Sequence, residues 1–161
     1  INISYGTNST QAYLADPLAA AAENAWRHGI VVVTSAGNNG AINGRLTDPA
    51  ADPYVLAVGA TDSNERIDGW APKNTNAASY SEVGSTDRHV DLVAPGTSLV
   101  SVRAPGSFVD VNNPSGRVSG DVSGQLFRGS GTSQAAAVVS GSIALLLQAY
   151  PSLTPDQVKY V

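Results

Sequence analysis

A serine that could act as a nucleophile lies in residues 129–135 (GSGTSQA), where glycine and small residues lead directly into a long apolar run. This pattern places Ser133 in the first turn of a predicted helix, where free N–H groups and the helix dipole favour negative charge. Ser133 could therefore attack a carbonyl carbon beside an oxyanion site. It could also be a helix N-cap, which is the more common role of a serine at a helix start, and this segment alone leaves both interpretations open.

A second polar segment, residues 35–40 (SAGNNG), follows an apolar and β-branched run. Open parallel sheets bind ligands at the carboxyl ends of their strands, and Asn38 would lie at such an end with a side-chain amide that can donate a hydrogen bond. The alternative interpretation is a polar turn without a function. Neither segment decides the matter by itself.

The elements that position these segments are predicted from hydrophobic patterning. Residues 1–4 are typical of a short buried strand, and a helix is expected from an N-cap at Asp16 to about His28, with Gly29 as its C-cap. Residues 30–36 (IVVVTSA) are apolar without alternation, which is typical of a parallel strand buried on both faces. Strand, helix and strand together predict a right-handed βαβ unit.

The rest of the chain continues the same architecture. Further buried strands are predicted at residues 55–61 and 90–94, and a β-hairpin with a long, exposed tip is predicted within residues 98–128. Residues 135–150 form a helix that is apolar all round and is therefore expected to be buried, and residues 154–157 (TPDQ) predict a capping box. Strands alternating with helices indicate an α/β domain.

Composition excludes several classes of function. The chain has 161 residues, of which 42% are hydrophobic and 14% charged, so one well-buried globular unit is expected. The net charge of −4 without a basic cluster argues against binding nucleic acid or an anionic membrane. The absence of cysteine excludes a thiolate metal site, and we expect neither a metal nor a cofactor. No Gly-x-Gly-x-x-Gly follows a strand and no Gly-Lys-Ser/Thr occurs, which argues against nucleotide binding.

Two observations concern the extent of the chain. No apolar run is expected to reach the length of a membrane span, and no basic segment precedes an apolar one at the start. The chain contains no methionine and begins inside a strand-like run. We therefore expect it to be a piece of a longer protein.

The order and content of several blocks resemble the subtilisin family over nearly the whole chain. The blocks are residues 1–6 (INISYG), 29–40 (GIVVVTSAGNNG), 55–61 (VLAVGAT), 91–96 (DLVAPG), 131–141 (GTSQAAAVVSG) and 153–158 (LTPDQV). The resemblance implies a parallel β-sheet flanked by helices in three layers, of which residues 1–161 are the C-terminal part. It also implies a serine endopeptidase, secreted or associated with the cell envelope, that acts on polypeptides.

The resemblance assigns roles to individual residues. Ser133 becomes the acylating nucleophile, and Asn38 and the Ser133 backbone N–H become the two oxyanion donors. The residues assigned to substrate binding are Ser4, Tyr5 and Gly6 on one wall of the primary pocket, Ser35, Ala36 and Gly37 on the other, and Thr132. With Thr47 near its base and no carboxylate, the pocket is expected to accept a sizeable apolar side chain. Asp48–Pro49 aligns with a cis peptide bond.

The sequence also departs from the family pattern. The catalytic Asp and His should precede residue 1, and His28 and His89 are predicted to be surface residues outside the family's histidine context. Ala137 and Ser130 replace a usual proline and a frequent asparagine. The upstream part of the same domain is therefore an expected partner, and the chain alone is predicted to lack peptidase activity. The alternative is a non-catalytic module that binds peptides or a partner chain.

Overall fold

The computed structural model describes residues 1–41, 44–62 and 77–161. The strands are β1 (Asn2–Ile3), β2 (Val33–Ser35), β3 (Leu56–Thr61), β4 (Leu92–Pro95), β5 (Leu99–Val102) and β6 (Leu126–Gly129). The helices are α1 (Pro17–Arg27), α2 (Phe108–Asn112), α3 (Thr132–Ala149) and α4 (Pro155–Tyr160), and short 3-10 helices occupy Tyr13–Ala15 and Pro114–Gly116. The predicted α/β class with flanking helices is confirmed.

Strands β1 to β4 form a parallel sheet in that order. Val33 lies opposite Asn2 on one side and Leu56 on the other. Every residue of β3 is buried, as expected for a strand covered on both faces. The four strands point the same way, so their carboxyl ends share one edge of the sheet.

Strand β2 is shorter than the predicted strand at residues 30–36. Residues 31–36 are all buried, but only Val33–Ser35 have strand geometry. The ladder covers only this part of the run, because β2 pairs with β1 at Val33 and Thr34 and with β3 at Val33, Thr34 and Ser35. Burial of an apolar run thus extends beyond the hydrogen-bonded ladder.

Helix α1 begins and ends at the predicted signals. The Asp16 carboxylate accepts hydrogen bonds from the N–H groups of Leu18 at 2.8 Å and Ala19 at 2.9 Å. Gly29 follows the helix with a positive φ of 84°, a conformation that glycine adopts without strain. The predicted capping box at Thr154 and Gln157 is likewise present at the start of α4.

Helix α3 packs across the sheet and contacts all four strands. It begins at Thr132, three residues before the predicted start, and its buried positions are Thr132, Ala135, Ala136 and Val139. The prediction of a helix buried all round is wrong for the described chain, since Val138 and Leu145 are exposed, Leu145 at 68%. The sheet covers one face only. By length and composition alone α3, with 18 residues and a mean hydropathy of 1.3, could cross a membrane, but a core helix packed on a sheet passes the same test.

The predicted β-hairpin is present as the antiparallel pair β5–β6. Its connection contains α2 and a 3-10 helix in place of a bare exposed tip. The nearly buried carboxylate of Asp110 holds this connection, accepting hydrogen bonds from Arg103 at 2.7 Å and Arg117 at 2.8 Å. Hydrogen bonds from these two guanidinium groups lower the pKa of Asp110 far below its usual range.

Candidate active site

The carboxyl edge of the parallel sheet meets the N-terminus of α3. Strand β1 leads into Ser4, β2 leads into Ala36, and the Gly131 N–H donates to the carbonyl of Gly96, just after β4, at 2.9 Å. Gly96 has no space for a side chain, because a Cβ there would lie 2.9 Å from the Gly131 carbonyl oxygen. This close approach places the helix start against the segment that follows β4.

Ser133 lies in the first turn of α3 and is half-buried. Its hydroxyl donates to the carbonyl oxygen of Ser4 at 3.3 Å, and the Ser4 hydroxyl donates to the Ser133 carbonyl at 3.0 Å. The helix is preceded by Gly131, which has no side chain to cap it. In the first turn the Thr132 N–H donates to Asn38 Oδ1 and the N–H groups of Gln134 and Ala135 donate to the Gly131 carbonyl, so the Ser133 N–H is the donor of this turn that is available to a negatively charged oxygen.

The side-chain oxygen of Asn38 is hydrogen-bonded to the first residue of α3. Asn38 Oδ1 accepts hydrogen bonds from the Thr132 N–H at 2.9 Å and from Thr132 Oγ1 at 3.1 Å. The side chain is therefore not turned back to its own loop, which excludes the plain polar-turn interpretation. Because the oxygen is occupied, the amide Nδ2 is the end left to donate. Two chain segments that are distant in sequence thus bring an amide donor to the helix that carries Ser133.

The Thr132 side chain links Asn38 to the neighbouring residue Gly37. Its hydroxyl accepts a hydrogen bond from the Gly37 N–H at 3.2 Å while donating to Asn38 Oδ1. Thr132 is 0% exposed, so its side chain faces Gly37 and Asn38 and not solvent, and its role in substrate binding stays a prediction. Sequence reasoning missed these contacts because they join segments that are far apart in the chain.

The two segments assigned as pocket walls flank Thr47. A Cβ on Gly6 would lie 2.7 Å from Thr47 Oγ1, and a Cβ on Gly37 would lie 2.8 Å from Thr47 Cγ2. Thr47 therefore touches both segments and closes the gap between them. Its hydroxyl donates to the Ala36 carbonyl at 3.1 Å. Ser35 and Ala36 are buried, whereas Tyr5 is 64% exposed at the opposite wall.

A carboxylate also lies against Gly37, next to Thr47, where none was expected from the sequence. The Glu82 side chain packs directly against the α-carbon of Gly37, so that even a methyl group there would collide with it. The Glu82 N–H donates to the Gly37 carbonyl at 3.0 Å, and Asn39 Nδ2 donates to Glu82 Oε1 at 2.6 Å. No local sequence pattern identifies Glu82, since its contacts come only from the tertiary fold.

The two histidines lie away from Ser133. His28 caps the C-terminus of α1 and His89 precedes β4, so both belong to the amino-terminal edge of the sheet, opposite the edge described above. Both are exposed, and their Nδ1 atoms lie 2.8 Å from the Asn24 carbonyl and 2.7 Å from the Val90 carbonyl. The prediction that they are surface residues is confirmed.

The Asp48–Pro49 bond is cis, as predicted. Asp48 is 1% exposed, and its Oδ1 has no hydrogen-bond partner among the described residues. Burial, together with the charge of Asp16, raises the pKa of Asp48 above its ordinary value.

Comparison with known proteins places this geometry in a family. The family model of the subtilase family matches residues 1–161. Serine protease AprX of Bacillus subtilis (strain 168) is 40% identical over 147 residues, covering 89% of this chain and 32% of AprX. Subtilisin DY of Bacillus licheniformis is 34% identical over 161 residues, covering 99% of this chain and 46% of that protein.

A solved structure agrees with these sequence relatives. The crystal structure of a cold adapted subtilisin-like serine proteinase matches with a TM-score of 0.67 and 30% identity, covering 98% of this chain and 44% of that one. The chain thus spans less than half the length of each of these relatives. With the helix-borne serine and the anchored asparagine in place, the chain belongs to the subtilase family of serine peptidases.

Proposed function

We propose that this chain carries the nucleophile and the oxyanion donors of a serine endopeptidase that hydrolyses peptide bonds through an acyl-enzyme on Ser133. The observation that carries the proposal is the anchoring of Asn38. Its Oδ1 is held by two hydrogen bonds from Thr132, and this orientation leaves Nδ2 as the donor beside the N–H of Ser133 in the first turn of α3. Donors fixed in advance are what a developing oxyanion requires.

The reaction follows from these groups. Ser133 Oγ forms a bond to the scissile carbonyl carbon while its proton passes to an imidazole, and the carbonyl π electrons move onto the oxygen held by Asn38 Nδ2 and the Ser133 N–H. Collapse of this intermediate breaks the C–N bond, and the leaving amine takes the proton from the imidazolium. Water then attacks the acyl-enzyme in the same way, which releases the carboxylic acid and restores Ser133.

The imidazole and its aspartate are assigned to an upstream part of the same catalytic domain. Neither His28 nor His89 reaches Ser133, so a base must come from outside this chain. The exposed apolar face of α3, which includes Val138 and Leu145, gives such a part a surface on which to pack. Strand β1 supports this, because among the described strands it pairs only with β2 and leaves its outer edge free.

The substrate is assigned as an extended polypeptide. Ser4, Tyr5 and Gly6 on one side and Ser35, Ala36 and Gly37 on the other lie at adjacent strand ends next to Ser133, which suits a side chain lodged between two backbone segments. A secreted or envelope-associated location is proposed by family resemblance.

Labelling with a fluorophosphonate tests this function, because the reagent reacts only with an activated serine. The complete protein, including the upstream part, should give a Ser133 adduct by mass spectrometry and should cleave casein. Ser133→Ala should abolish both, while Ser142→Ala, a substitution of an exposed serine further along α3, should leave both unchanged. Residues 1–161 alone should give no adduct above the Ser133→Ala level. An unlabelled complete protein that still binds peptides would establish the non-catalytic alternative.

A further inference from the structure

The geometry points to Glu82 as a specificity-determining residue that directs the primary pocket toward a basic side chain, lysine or arginine, before the cleaved bond. This inference rests on the proposed function, because it assigns a substrate class to the same pocket. It replaces the expectation, drawn from sequence, that the pocket takes a large apolar side chain.

The first argument is the environment of the Glu82 carboxylate. The residue is 3% exposed, and its one hydrogen bond to a described side chain comes from Asn39 Nδ2. Within residues 1–41, 44–62 and 77–161, no lysine or arginine lies within ion-pair distance of it. A carboxylate offers about four acceptor sites, and a buried carboxylate is costly unless it is paired. Glu82 thus has unused acceptor capacity for a bound cation.

The second argument is its location at the closed end of the pocket. Thr47 bridges the two walls at Gly6 and Gly37, and the Glu82 carboxylate contacts the same α-carbon of Gly37 as Thr47 Cγ2 does. A side chain that enters between the walls therefore meets a hydroxyl and a carboxylate at their far end. Both are acceptors for an ammonium or guanidinium group.

The third argument is the space beside these groups. A cavity of about 310 Å³ is lined by Thr47, Glu82, Asn39 and the polar loop that begins at Asn8. Its lining is mixed, with Leu46 beside the polar side chains, so a long aliphatic stem can pack there while its charged terminus reaches the Glu82 carboxylate. Arg45 also lines it, but its guanidinium donates to the Ser9 carbonyl at 3.3 Å and forms no ion pair with Glu82 among the described residues.

The test compares peptide substrates that differ only at the residue before the cleaved bond. Lysine and norleucine have side chains of similar length, with and without the charge, and phenylalanine represents the apolar alternative. For the complete protein we expect kcat/KM to be highest for lysine or arginine. Glu82→Gln should lower the lysine-to-norleucine ratio by about 10- to 100-fold, the value of a hydrogen bond to a charged partner.

Glu23→Gln is the matched control, since it makes the same chemical change on α1, and it should leave the ratio unchanged. Glu82→Asp keeps the charge and should retain part of the preference if Glu82→Gln fails to fold. A wild-type preference for norleucine or phenylalanine over lysine overturns the inference, as does a ratio unaffected by Glu82→Gln in a folded protein.

The failure of the inference is distinguishable from the failure of the proposed function. Fluorophosphonate labelling of Ser133 does not depend on the pocket. A labelled enzyme without a preference for basic residues would therefore refute the role of Glu82 and leave the proposed peptidase function intact. If the complete protein is not labelled, calorimetric binding of two product peptides, ending in lysine or in norleucine, still decides the role of Glu82. Equal affinity for the two peptides refutes it.

Discussion

Thr132→Val in the complete protein isolates the contribution of a buried hydroxyl to catalysis. The substitution keeps the volume of the side chain but removes one hydrogen bond from Gly37 N and one to Asn38 Oδ1. The buried Gly37 N–H is then left without its partner, which costs about 1–3 kcal/mol of folding stability. The Thr132 N–H still holds Asn38 Oδ1 at 2.9 Å, so the amide is loosened and not released.

The expected effect on turnover is partial. Loss of about 1 kcal/mol of transition-state stabilisation lowers kcat by about fivefold. The upper limit is complete loss of the amide donor, which in subtilisin, itself a member of this family, costs about 100- to 1,000-fold in turnover, a value measured on that enzyme. KM should change little, because the contact strengthens only as charge develops.

Steady-state kinetics with one peptide substrate, together with urea unfolding, checks this reasoning. Thr132→Ser retains the hydroxyl and should recover most of kcat. Thr34→Val is the matched control, because it removes another fully buried hydroxyl, one that donates to the Leu56 carbonyl at 3.1 Å, and should cost stability without changing kcat. An unchanged kcat for Thr132→Val, or a loss that appears only in KM, would refute the positioning role.

Three further predictions concern single sites. Asn38→Leu should lower kcat at least tenfold more than it raises KM in peptide hydrolysis, since the amide acts on the transition state. Arg88→Met should cost about 1–3 kcal/mol in urea unfolding, because the largely buried Asp91 carboxylate loses Arg88 but keeps Lys159 at 3.1 Å, and adding Asp91→Asn should recover part of the loss. Asp48→Asn should stabilise the protein at pH 8. At this pH the buried Asp48 carboxylate is ionised, and its raised pKa means that the charge lowers the free energy of unfolding, whereas the neutral amide carries no such charge. That advantage should shrink as the pH falls through the folded pKa toward the unfolded value near 4, and an advantage constant with pH would contradict it.

The parts of the fold that the sequence predicts are those with local physical causes. The Asp16 cap and the capping box at Thr154 need only neighbouring residues, so their residue types specify them directly. The apolar run at residues 55–61 gives a strand buried on both faces, because no other regular arrangement covers such a run so simply. Glycine-rich segments at strand and helix ends drew attention to Ser133 and Asn38, but they left two interpretations open, and the roles predicted for both residues came from the family resemblance.

The parts that sequence reasoning missed depend on tertiary contacts. Thr132 looks like an ordinary helix residue until its hydroxyl is seen between Gly37 and Asn38. Glu82 lies in a loop with no distinguishing pattern, and it acquires meaning only because that loop folds against Gly37. The exposed face of α3 was also missed, since apolarity predicts that a surface will be covered but does not say by which segment.

Gly37 connects the two functions proposed for this edge of the sheet. The Gly37 N–H donates a hydrogen bond to Thr132 Oγ1, and the same hydroxyl holds the Asn38 side chain. The Gly37 carbonyl accepts a hydrogen bond from the N–H of Glu82, and the Glu82 carboxylate packs against the Gly37 α-carbon. Its φ of 115° lies in a region that residues with a side chain rarely adopt. Gly37→Ala therefore both strains the backbone and collides with Glu82 and Thr47.

Because one residue supports both sides, Gly37→Ala in the complete protein should lower kcat and reduce the lysine-to-norleucine ratio together. Thr132→Val should lower kcat alone, and Glu82→Gln should change the ratio with little effect on kcat for norleucine. Kinetics on the lysine and norleucine peptides separates these patterns, with circular dichroism to verify folding. If folded Gly37→Ala changed only one of the two quantities, the oxyanion donor and the pocket carboxylate would be supported independently, and the coupling through Gly37 would be disproved.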